Sequence, residues 1–451
     1  MEIKRYLYIF YSFVFLLHIC NVFLESEGLN YLIGILAIVM LIVSFPGASR
    51  LFKILGIAFF IVGGAAFMST DDSILMVPSL ITSNMGLLTL LAMLPWMNSV
   101  VKSGRFDRTL NNMLNVKAKN LGVLYPRSSL TTLTLASFLN LSAATISQNV
   151  LKETLSKVDQ KVRNSFIGTA TLRGYTLALI WSPLEVLLAL PIFLTGVNYV
   201  TLLPWLLFIA FIAFLIDSLW GRLHYKKYTY HNPLQINYDS KKLIRKLLHL
   251  IFALIVFLAF VIVIGSVFQL DFIFTVTILV FPYAWVWASI MKRVRSFWII
   301  GFRNWKHSTN TMQNFIVLFI SLAFFANSLN GTEFLEYIQQ PVLDLSDYPL
   351  LMFFIIQLIF ILLSLFGVHP LGTIGMLSGI IPVLLEIMNP LSIAIVLVSS
   401  AVAILTVGPY GLVVQLTTMN TGTNPYRLTL KNMPYALMFG GIGSIVAYFL
   451  L

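Results

Sequence analysis

Apolar runs of about 20 residues recur along the chain, and a run of that length crosses the hydrocarbon core of a bilayer as one α-helix. Eleven read as full crossings, at roughly 6–24, 29–46, 51–69, 77–101, 165–194, 199–219, 246–267, 271–291, 310–329, 391–418 and 432–450. Of the 451 residues 59% are hydrophobic and only 10% charged, with a mean hydropathy of +0.90. Soluble domains carry about a quarter charged residues. The fold class that follows is an all-α polytopic membrane protein. The longest polar gap, from about Trp220 to Lys246, is too short for a soluble domain.

Two further apolar stretches do not fit single crossings. Residues 128–156 are rich in Ser, Thr and Asn. Residues 350–388 are too long for one helix and contain SLFGVHPLGTIGMLSGIIP, with a His-Pro step and four glycines. Backbone that leaves the helix at membrane depth must find its hydrogen-bond partners in the protein, so it belongs where it lines an internal cavity. Charge decides how these stretches run. If the N-terminus is cytoplasmic and both stretches are re-entrant hairpins, 28 of the 29 Lys and Arg fall in cytoplasmic loops, and Arg173 lies within a span. That is the positive-inside bias. Treating either stretch as one crossing puts the later clusters on the wrong side. The C-terminus then lies outside.

This arrangement is an inverted repeat. Residues 1–28 form an added N-terminal helix. Residues 29–245 give three helices, a hairpin at 128–156 and two helices, and 246–451 repeat the pattern with a hairpin at 350–388. Five crossings per unit is an odd number, so the units are opposed. Residue-level identity between the halves is weak, and the repeat reads as one of topology. Interrupted segments at matching places in opposed halves point to a transport site near the midplane. The basic start followed by a long apolar stretch reads as a retained helix. Cys20, the one cysteine, lies in that helix, excludes an intramolecular disulfide and reads as a packing residue. The segment Gly104–Lys119 reads as an interfacial amphipathic arm.

Arg173 is the sharpest chemical signal, since an Arg at a helix centre costs about 2.5–3.5 kcal/mol to insert. It suits an anionic substrate; the alternative is snorkelling to the cytoplasmic face. Glu185 follows Trp181-Ser182-Pro183, where proline marks an unwound point. It could carry protons, or meet Arg173 if the roughly 18 Å of intervening helix is unwound. His369 sits at the second hairpin tip beside Gly372 and Thr373, as a proton carrier or a structural turn residue. The first hairpin clusters Ser137, Asn140, Ser142 and Thr145. Span ten is broken at Gly408-Pro409, with Tyr410 beside the break. Substrate contacts are therefore expected from Asn140, Ser142, Thr145, Arg173, Gly174, Ser182, His369, Gly372, Thr373, Gly408, Pro409 and Tyr410. Coupling-ion contacts are expected from Ser137, Asn140, Gly174, Glu185 and His369.

No metal-ligand spacing, nucleotide-binding loop or hydrolase elbow is present. The net charge of +12 is spread through short loop clusters, which fits lipid contact and not nucleic acid. No cofactor is expected beyond a coupling Na⁺ or H⁺.

The pattern resembles the ion transporter superfamily and, within it, the divalent anion–sodium symporter family. The resemblance rests on Asn140-Leu141-Ser142-Ala143-Ala144-Thr145 at the first tip and Ala170-Thr171-Leu172-Arg173-Gly174 in span five. Gly367-Val368-His369-Pro370-Leu371-Gly372-Thr373 at the second tip departs from the family's Ser-Asn-Thr motif, and Tyr175-Thr176-Leu177-Ala178 departs in span five. The resemblance implies eleven spans, two opposed hairpins, an elevator movement and a homodimer. The expected function is a non-enzymatic secondary transporter of a small organic anion in the cytoplasmic membrane. A cation/proton antiporter using Glu185 and a lipid-linked glycan flippase are the alternatives.

Overall fold

The helices begin where the sequence supplies a cap. Ser26, Asn120, Asp159, Asn198, Asp271, Asn389 and Asn424 each accept a first-turn N–H on a side-chain oxygen, the role these residue types prefer. The computed structural model describes residues 6–70, 73–104, 119–229, 240–329, 345 and 347–451. Most of the proposed arm at 104–119 lies outside the described residues.

In chain order the helices are α1 (Leu7–Leu24), α2 (Glu27–Ser44), α3 (Arg50–Met68), α4 (Val77–Leu80), α5 (Met85–Ser103), α6 (Leu121–Leu139), α7 (Leu141–Thr154), α8 (Gln160–Leu179), α9 (Val186–Thr195) and α10 (Tyr199–Tyr225). There follow α11 (Ser240–Phe268), α12 (Phe272–Ile290), α13 (Val294–Asn310), α14 (Gln313–Leu329), α15 (Pro349–Leu365), α16 (Pro370–Leu377), α17 (Ile381–Ile387), α18 (Pro390–Ala403), α19 (Leu412–Thr421) and α20 (Pro425–Tyr448).

Among the described residues seven helices are long and apolar enough to cross a membrane, or nine if two bent pairs each count as one. The protein is therefore a multi-pass membrane protein. The seven match expected spans one to four and six to eight. Spans five and ten are each interrupted, as α8/α9 and α18/α19. Span nine is α14, which meets the short, strongly amphipathic α13 at a 54° bend.

The chain divides into two compact units. One comprises Met1–Val100, Phe268–Asp347 and Gly375–Glu386; the other comprises Val101–Val267, Tyr348–Ile374 and Ile387–Leu451. In the first, aromatic side chains dominate the packing. Trp96 of α5 meets Phe281, Phe297 and Trp298 edge-on or tilted, and Phe59 and Phe60 of α3 meet Phe325 and Phe324 of α14. Cys20 is exposed and not packed inside the protein, which corrects its expected place: α1 buries the face carrying Leu7, Tyr11, Val14 and Phe15.

The second unit holds both interrupted spans and both hairpin turns. α6 and α7 meet at Asn140, pack on one another and pack on α8. α15 ends at a turn over 366–369 before α16, and the chain breaks again over 378–380 before α17, most of which belongs to the first unit. The returning limb of the second stretch is thus itself broken, a feature absent from the expected simple hairpin.

Pro183, Thr195, Gly196 and Asn198 have counterparts in Pro409, Thr421, Gly422 and Asn424, each 226 positions later. Both glycines end the second half of a broken span in the left-handed conformation (φ 65° and 71°), which closes a helix without the Cβ penalty. Both asparagines cap the next helix. The same offset places Asn140 opposite Phe366, the start of the second turn. The motif Thr-Gly-x-Asn thus stands twice, at 195–198 and 421–424, each time between the end of one helix and the cap of the next.

Candidate functional site

Asn140 stands at the junction of α6 and α7 with φ 45° and ψ −128°. A non-glycine residue holds such a backbone only where its surroundings fix it. Here the side chain is gripped on both ends: its amide donates to Glu185 Oε2 at 3.0 Å, and its carbonyl accepts from the Tyr175 hydroxyl. The first hairpin turn is thereby tied to the break in span five.

That break runs over 180–185. Pro183 has no N–H to continue the helix. The Ser182 hydroxyl accepts from Leu184 N at 3.4 Å and lies 3.5 Å from the Ser137 carbonyl. Glu185 restarts the helix by accepting the Leu187 N–H on Oε1. Tyr199 donates to the Trp181 carbonyl at 2.8 Å, satisfying one acceptor that the break exposes. Glu185 is 8% exposed, and among the described residues no cation pairs with it.

A second turn is paired with a second break by other means. α15 closes in a Schellman motif, with Val368 N bonded to Leu363 O and Gly367 N to Ser364 O. Gly367 has φ 89°, and a Cβ there would stand 3.3 Å from the Tyr410 ring. The turn therefore rests on the break of span ten, at 407–411. The Pro409 carbonyl accepts from Gln415, and the Tyr410 hydroxyl meets that of Tyr426 at 2.6 Å. His369 accepts the Leu371 N–H on Nδ1 at 3.2 Å, which caps α16. Gly372 and Thr373 are buried in α16, and Thr373 Oγ1 is a buried hydroxyl with no hydrogen bond among the described residues.

Arg173 does not present an unpaired cation. Its guanidinium lies 2.7 Å from Asp217, donates to Asn432 at 2.9 Å and to the Lys431 carbonyl at 3.0 Å, and stacks over Trp220 and Tyr435. Asp217 also accepts from Tyr125. Pairing of Arg173 with Glu185 is corrected to pairing with Asp217. The span expected at 199–219 would leave Asp217 two residues from its end. The helix continues to Tyr225, which puts Asp217 inside it, 2% exposed.

Gly174 serves packing: a Cβ there would lie 2.5 Å from the Ser129 carbonyl of α6. Ser137 turns its hydroxyl back to Leu133 O, so its own carbonyl faces Ser182. Ser142 and Thr145 lie half-buried on α7.

Sequence reasoning missed Gln148. Its amide donates to Thr171 (3.2 Å) and Thr417 (2.7 Å), and its carbonyl accepts from Asn420 (2.8 Å). It joins the first hairpin to span five and to the second half of span ten. Tyr175 was read only as a departure from a motif; a hydroxyl inside a span two turns after Thr169 was the available signal.

Two of the helices that start at the turns and breaks lack a side-chain cap, namely α7 after Asn140 and α19 after Gly411. Helix N-termini carry partial positive charge and free N–H groups, a ready site for anions.

Among solved structures, the chain is similar to the YdaH transporter of Alcanivorax borkumensis, described as having an unusual topology. The TM-score is 0.63 over 89% of this chain and 97% of that one, at 15% sequence identity. At that identity the likeness establishes a shared fold. No family model matches the chain, and no curated protein does.

Proposed function

We propose that the protein is a secondary transporter of a small organic anion, coupled to H⁺ or Na⁺. The observation that carries this reading is the pairing of each hairpin turn with the break of a span within one unit: Asn140 with Glu185, and Gly367 with Tyr410. Interrupted helices in matching places of two repeats are the hallmark of a midplane transport site. The uncapped starts of α7 and α19 are the anion-binding elements. Arg173 holds the unit together rather than touching substrate. Glu185, buried without a cation, is the coupling group, and Ser142, Thr145 and Thr373 supply neutral hydroxyls. In this reading the two stretches are re-entrant from opposite faces, the N-terminus is cytoplasmic, and the unit carrying the breaks moves as the elevator.

The test is uptake of a panel of radiolabelled organic anions into proteoliposomes, with Na⁺ and pH gradients imposed separately. Accumulation driven by either gradient supports the reading. Absence of uptake for every anion under both gradients removes it. Gradient-driven cation exchange in the same vesicles would instead favour a cation/proton antiporter, the reading Glu185 supports when taken alone.

A further inference from the structure

A crevice of about 480 Å³ opens between α2, α3 and α14, lined by Leu41, Phe45, Gly56, Phe60, Ile61 and Val317 among others. Its lining residues all belong to the first unit. The volume is in the range of ligand pockets, roughly 300–1,000 Å³. Its walls are almost wholly apolar. Ile42 and Ile61 at its rim are 64% and 66% exposed.

The mouth is of opposite character. α2 stops at Ser44, a short turn carries Pro46, and α3 restarts at Arg50. Lys53 donates to the Pro46 carbonyl at 3.2 Å and stands over the Phe45 ring at 5.9 Å, so its ammonium is held at the crevice entrance with two further N–H donors. Arg50 is exposed one turn earlier. From Lys53 to Ile61 the helix rises about 12 Å, into the hydrocarbon. No Asp or Glu occurs between Glu27 and Asp71.

The geometry points to a binding site for an anionic phospholipid, with one acyl chain in the crevice and the phosphate on Lys53 and Arg50. Charge chooses this occupant. A basic mouth over an apolar slot matches a negative headgroup above a hydrocarbon chain. Juxtamembrane Lys and Arg are attracted to anionic leaflets. The site is independent of the transport reading and would make the first unit a lipid-anchored body.

The test uses the purified full-length protein in detergent, incubated with dioleoyl phosphatidylglycerol or dioleoyl phosphatidylcholine and examined by native mass spectrometry. Phosphatidylglycerol should be retained in preference. Lys53→Gln and Arg50→Gln should each lower that preference by about fivefold. Ile57→Trp, at an exposed lining position, should displace both lipids by filling the slot. Equal retention of the two lipids, or a preference that survives the double Gln variant, overturns the proposal. So does a disulfide between two copies formed by Ile61→Cys in a Cys20→Ser background, because a second chain would then occupy the slot.

Discussion

The Arg173 guanidinium and the Asp217 carboxylate, on α8 and α10, stand 2.7 Å apart in a site where both residues are almost fully buried. The residues 226 positions later, Ser399 and Gly443, also touch: a Cβ on Gly443 would lie 2.1 Å from the Ser399 hydroxyl. One helix contact is made by an ion pair and the other by small residues.

Removing one partner leaves the other charge buried. Arg173→Ala and Asp217→Ala should each destabilise the protein by about 3–5 kcal/mol. The double variant Arg173→Met/Asp217→Leu should lose less than either. Thermal unfolding in detergent reads this. Two silent single variants would show that the pair bears no load.

Glu185→Gln keeps the shape of the carboxylate but not its charge. It should unfold within a few degrees of the parent and lose the dependence of uptake on the driving gradient. An unchanged gradient dependence in proteoliposomes assigns coupling elsewhere.

The two turns respond oppositely to glycine chemistry. Gly367→Ala places a side chain at φ 89° against Tyr410 and should cost about 1–2 kcal/mol. Asn140→Gly removes the positive-φ penalty and also removes both side-chain bonds to Glu185 and Tyr175. Its stability should change little while uptake falls several-fold. Melting and uptake measured side by side separate the two effects.

Gly174→Ala drives a methyl into the Ser129 carbonyl, 2.5 Å away. Forcing α6 from α8 should cost about 1–3 kcal/mol. A variant melting with the parent would mean that the two helices can part freely.

Much of this architecture is written in local chemistry. Pro183 and Gly408-Pro409 announce the two breaks because proline and glycine act on the backbone they belong to. Asn140 and Gly367 announce the turns for the same reason. Partners are another matter. Apolar length marks a span but not its neighbours, so Asp217, Asn432 and Gln148 were invisible as the groups that meet Arg173, Thr171 and Thr417. The Thr-Gly-x-Asn motif is not legible as a signal in sequence because three residues shared at a fixed offset carry little weight until both occurrences are seen ending a helix.

Arg173 takes its partners from far along the chain: Asp217 lies 44 residues on, and Asn432 lies 259 on. Gln148 waits as long for Thr417. During synthesis residues 121–225 enter the membrane with an arginine that has its counter-charge but not all its acceptors, and with an amide holding one acceptor, Thr171, while the other has not left the ribosome. A chain truncated before residue 432 should therefore be recognised as unfinished by membrane quality control, even with its first ten spans in place.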